Sequence, residues 1–148
     1  GGSAKDFRTA PDRVAAFSQR STDVEVIFAQ GALIAGAAPG GGIASQAGTS
    51  QATPFVAGMV AVAQNMADDL LGRRLTPDEF ETMLRSSATT IFDGDDERDN
   101  VASLDTPLPR VDMLALAQEI KKVAETVEVS SEIIADDFNE GIDTTGII

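Results

Sequence analysis

Residues 48–58 read Gly-Thr-Ser-Gln-Ala-Thr-Pro-Phe-Val-Ala-Gly, and the fold turns on what changes at Ser50. Before it, apolar residues alternate or stand in short runs between glycines. After it, Ala52, Phe55, Val56, Met59, Val60 and Ala63 recur at helical spacing. Ala61 and Val62 widen the apolar surface nearly all round, and the first charge is Asp68. Such a helix, of roughly residues 50–66, is expected inside a protein. A serine at a strand-to-helix turn sits where backbone N–H groups lack intrahelical acceptors. Those donors and the helix dipole favour negative charge near the Ser50 oxygen. With Ser50 as the N-cap, Pro54 falls at N4. A plain helix cap is the ordinary role of such a serine. A serine that attacks a carbonyl would use the same donors for its oxyanion, but it also needs a base to take its proton. The chain of 148 residues contains no histidine.

Working outward, Val24, Val26 and Phe28 alternate as a strand does, and Gly31 ends them. Leu33-Ile34-Ala35 is a second short strand and Pro39-Gly40-Gly41-Gly42 a turn. Ile43–Gln46 returns, which makes a hairpin leading into the Ser50 turn. The glycine run lacks the lysine and helix of a phosphate-binding loop. Upstream, Asp12–Ser21 reads as a loop turning over Phe17. Downstream, Thr76-Pro77-Asp78-Glu79 is a helix start, with Thr76 as cap and Glu79 completing a capping box. Phe80, Met83 and Leu84 give that helix its buried face. Pro109 is expected to open a third helix carrying Met113, Leu116, Ala117, Ile120 and Val127. Residues 128–148 read as an acidic tail or linker.

Composition narrows the partners. The formal net charge is −13, from 24 acidic and 11 basic residues, so nucleic acid and anionic membrane surfaces repel the chain. There is no cysteine, which excludes disulfides and zinc–thiolate sites. No apolar run approaches the roughly 18 residues of a membrane span. The acidic run Asp93-Gly94-Asp95-Asp96-Glu97-Arg98-Asp99-Asn100 crowds oxygen ligands together. Asp93, Asp95, Asp96 and Asp99 are candidate calcium ligands. The run is no EF-hand, because Arg98 and Leu104 stand where glycine and glutamate are required. A solvated acidic loop is the alternative.

The stretch 48–58 resembles the G-T-S-x-A-T-P-x-V-A-G signature of subtilases, the subtilisin-like serine proteases. The resemblance extends over about residues 12–118. Val14–Ser21 resembles the family's loop before the strand. Val24–Ser50 holds strand, hairpin and nucleophile turn in order. Leu75–Ile91 and Pro109–Gln118 resemble the two following helical segments. It implies an α/β fold, the C-terminal portion of a subtilisin-like parallel sheet in which a hairpin leads into a buried nucleophile helix. Residues 1–118 would belong to the catalytic domain. Residues 119–148 would form the end of a terminal helix and an acidic tail.

On that resemblance Ser50 matches the nucleophile and its N–H supplies one oxyanion donor. Thr49 supports the same turn, and Gly48 leaves room for a substrate backbone. Gln51 stands where methionine is common, Phe55 where histidine is common and Gln30 where proline is usual. None of these is a triad position. In the family the triad runs Asp, His, Ser along the chain. The resemblance therefore implies that Asp, His and the asparagine of the oxyanion hole lie on a missing N-terminal part. That half would be the partner, with a peptide or protein as substrate and this chain alone inactive. The chemistry itself requires no cofactor, many subtilases bind calcium, and secretion is the implied localisation. A non-catalytic binding or scaffold protein with a subtilase-like shell would lack histidine as well.

Overall fold

The computed structural model describes residues 2–7, 10–95 and 97–140, with side chains up to residue 130. Strands β1 (Ile34–Ala37) and β2 (Ile43–Gln46) form an antiparallel hairpin, with Ile34 opposite Gln46 and Ala37 opposite Ile43. Gly40 and Gly41 take φ of 84° and 81° at its tip, where a side chain would be strained. Helix α1 (Thr49–Leu71) follows directly and ends at Gly72, which is left-handed with φ 65°. Helix α2 (Pro77–Ser86) starts as the sequence predicts. Thr76 accepts the Glu79 N–H, and Glu79 accepts the Thr76 N–H at 2.8 Å. Strands β3 (Thr89–Asp93) and β4 (Thr106–Arg110) form a second antiparallel pair, and helix α3 (Met113–Glu140) closes the described chain.

The mixed α/β content is as expected, but the sheets are small and antiparallel. The predicted strand Val24–Phe28 is reduced to one parallel bridge between Phe28 and Arg110. Phe28 donates to the Pro109 carbonyl and accepts from Val111 N–H, both at 2.8 Å. Pro109 therefore belongs to β4 rather than opening α3. Pro107 and Pro109 alternate with the residues that bond β3, so their missing N–H groups face the side where β3 requires none. Asp112 opens α3 instead, its carboxylate accepting the Ala115 N–H at 3.0 Å. α3 also continues past residue 118 to Glu140, so residues 128–140, expected as tail, are helical. Residues 141–148 lie outside the described residues.

Two apolar clusters hold these elements. In the larger one, Met59, Ala63 and Ala67 of α1 meet Leu75, Leu84, Leu116 and Ile120. In the smaller, Val14, Ile91 and Leu108 pack with Val26 and Phe28. The expectation that α1 is buried all round is corrected. Only the Met59–Ala63–Ala67 face is buried, while Phe55 is 41% and Val62 49% exposed. α3 packs along α1, Leu75 and Leu84 join the same cluster, and Phe55, Val62 and Leu70 on other faces of α1 stay exposed. A buried ion pair joins the loop before the bridge to the acidic loop. The Arg20 Nε donates to Asp93 at 2.9 Å, and Nη2 reaches Asp99 at 3.3 Å. The N-terminal segment is laced to the same loop. Lys5 N–H donates to the Asn100 side chain at 2.7 Å, and Phe7 N–H donates to the Arg98 carbonyl at 3.0 Å.

Candidate active site

The helix begins two residues earlier than the sequence suggests. Gly48 is its N-cap, with φ 157° and ψ 167°, a region open essentially to glycine. Its carbonyl accepts the N–H groups of Gln51 at 3.1 Å and Ala52 at 3.4 Å. Thr49 and Ser50 are therefore the first two helical residues rather than Ser50 being the cap. Their N–H groups fall in the first turn, which has no intrahelical acceptors. No acidic residue stands there to compete for the positive end of the helix dipole. Pro54 lies inside α1 and cannot donate to the Ser50 carbonyl four residues back. Thr53 Oγ1 donates to the neighbouring Thr49 carbonyl at 3.0 Å.

Ser50 and Thr49 are both exposed, and Gly48 is half-buried. Beside the turn runs a cleft of about 960 Å³. Ile27–Leu33 lines one wall, and Thr49, Ala52, Phe55 and Val56 line another. The backbone groups of Phe28 point to β4, so by strand alternation those of Ile27 and Ala29 point the other way. Neither Ile27 nor Ala29 makes a backbone hydrogen bond among the described residues. An apolar cleft thus carries a bare strand edge next to an exposed serine on a helix N-terminus. This arrangement can polarise a carbonyl and expose a nucleophile. The chain supplies no histidine to serve as its base.

Two contacts around the turn escaped the sequence reading. Gly31, taken there only as a strand breaker, accepts the Gly48 N–H at 2.7 Å. Gln51 donates through Nε2 to the Gln46 side chain at 3.0 Å, joining β2 to α1. A polar pair five residues apart across a hairpin end is a weak signal without coordinates. The acidic run is placed differently from the serine. Asp93 is fully buried and accepts from Arg20 and, through its second oxygen, from Leu104 N–H at 2.9 Å. Asp99 also faces Arg20, Asp95 is exposed, and Asp96 lies outside the described residues. Among the described residues no three acidic side chains gather as a metal site would need.

Ser50 is thus an exposed serine in the first turn of a long helix that follows a glycine-containing hairpin. The family model described as Subtilase family, Peptidase_S8, matches residues 8–107. The chain belongs to the subtilase family, a family of serine peptidases. No curated protein and no solved structure matches it. Subtilases are often extracellular, and among the described residues no helix is long and apolar enough to cross a membrane.

Proposed function

We propose that this chain is the nucleophile-bearing part of a subtilisin-like serine endopeptidase, with Ser50 as nucleophile. The observation that supports it best is the exposure of Ser50 at the N-terminus of α1, beside a cleft, within the stretch that the family model matches. In this reading a histidine outside these residues, oriented by an aspartate, takes the Ser50 Oγ proton. Oγ bonds to the substrate carbonyl carbon, and the Ser50 N–H supports the oxyanion. The proton passes to the leaving amine as the peptide bond breaks, and water then hydrolyses the ester. Thr49 supports the turn, and Gly48 admits the substrate backbone. The acyl transfer consumes no redox equivalent and calls on no cofactor.

The segment bearing Asp and His is also the proposed partner for the cleft. An extended strand of that segment would pair with the bare Ile27–Ala29 edge. The test is turnover of a peptide substrate by the chain alone and by the chain completed with that segment. The chain alone is expected to give no subtilase-like turnover, and a phosphonate is expected to label Ser50 only in the completed form. Ser50→Ala in the completed form is expected to remove turnover. A completed form that binds but never turns over, with Ser50 unlabelled, would establish the non-catalytic shell instead. Rapid turnover by the single chain would overturn the assignment of the base.

A further inference from the structure

Gly31 meets the nucleophile turn at both polar groups of one residue. Its carbonyl accepts the Gly48 N–H at 2.7 Å. A Cβ on Gly31 would stand 2.8 Å from the Gly48 carbonyl oxygen and 3.3 Å from the Ala52 Cβ. The nearer atom is backbone and cannot rotate aside as a side chain would. Gly31 does not have a positive φ, so its backbone conformation does not demand glycine. The demand comes from the close approach alone. The oxygen it would displace is the one that accepts from Gln51 and Ala52 and so starts α1. Ser50 lies between donor and acceptor residues of that turn.

We infer that Gly31 is a positioning residue for Ser50: its missing side chain lets the end of the Val24–Gln30 segment fix the Gly48 peptide, and through it the nucleophile. The inference rests on the reading of Ser50 as nucleophile. A Cβ here shifts the Gly48 carbonyl by several tenths of an ångström, and with it the first turn. Nucleophilic attack is sensitive to that scale, since a misplacement of about 1 Å can lower a rate roughly a hundredfold. Gly36 is the internal control, because a Cβ there meets nothing within 4 Å.

The experiment uses the chain completed with its Asp- and His-bearing segment. Phosphonate titration counts competent sites, and kcat is expressed per titrated site. Gly31→Ala is expected to lower kcat per site roughly tenfold to a hundredfold with KM little changed, while Gly36→Ala matches the unaltered protein. A loss of titratable sites with kcat per site unchanged would make Gly31 merely structural and overturn the inference. Turnover surviving in Ser50→Ala would overturn the nucleophile reading itself. An inactive Ser50→Ala beside a fully active Gly31→Ala would sink only the positioning role. Should Gly31→Ala not fold, hydrogen exchange at Gly48 in the unaltered chain decides. Slow exchange supports the tie to Gly31, and exchange as fast as an open loop refutes it.

Discussion

Arg20 and Asp93 form a buried pair, with 5% and 0% of their side chains exposed. Arg20 also donates to the Val14 carbonyl at 3.0 Å and to Asp99. Taking away one partner leaves a charge in a place that water cannot reach. Asp93→Ala is therefore expected to destabilise the chain by about 3 kcal/mol, the low end of such losses because Asp99 remains. Urea unfolding measures it, and a midpoint unchanged from the parent would refute the role. At the surface, Arg73 grips Glu79 with two hydrogen bonds of 2.7 and 3.0 Å. These, and the Thr76 N–H, lower the Glu79 carboxyl from 4.5 to about 2. A lowered carboxyl favours the folded state above its ordinary range, and that contribution fades as pH falls toward the folded value. The melting-temperature gap between the parent and Glu79→Gln should be full above pH 4.5 and close near pH 2. A gap that ignores pH over that window would contradict the assignment.

Among the elements, α1 shows where sequence is informative and where it is not. Its helical nature and the Thr76 capping box of α2 are local properties, written in spacing and cap residues, and both are observed. The glycine turn of the β1–β2 hairpin is equally local. Burial of α1 is not local, because it depends on what lies opposite each face, and Phe55, Val62 and Leu70 are left exposed here. Val24–Phe28 fails for the same reason, since a strand exists only where a second strand pairs with it. Pro109 misled because its N1 preference is real but weaker than the pairing of β4 with β3. The place of Ser50 at the start of a helix was legible from the change of period, whereas the close approach at Gly31 was not, because it is set by a residue 17 positions away. The exposed face of α1 also carries Gly58, at which a Cβ would meet nothing within 4 Å. Gly58→Ala should stabilise the isolated chain by about 1 kcal/mol through helix propensity alone. Thermal unfolding checks this, and destabilisation would mean that the face is closed in solution.

The whole molecule combines a net charge of −13 with large apolar side chains left in water. Leu33, which lines the cleft with Ile27–Ala29, is 68% exposed, and Ile43 of β2 is 83% exposed. Folded monomers avoid such edges and patches. The isolated chain is expected to self-associate in sedimentation velocity, more strongly as added salt screens its like charges. Completion with the Asp- and His-bearing segment should return a single one-to-one species. A concentration-independent monomer at all salt levels would show that the cleft closes without a partner.

The lacing of the N-terminal segment to the acidic loop bears on the order of events in folding. The Lys5–Asn100 bond spans 95 residues and the Arg20–Asp93 bond 73, whereas the β1–β2 hairpin and the helical turns close over a handful. Joining distant points costs chain entropy that only later contacts repay. These ties are therefore expected to form after the rate-limiting step, once the hairpins and helices have condensed. In a chevron plot the Asp93→Ala loss should appear almost wholly as faster unfolding, with refolding little altered. The lacing governs how long the folded state survives, and the local turns govern how quickly it is reached.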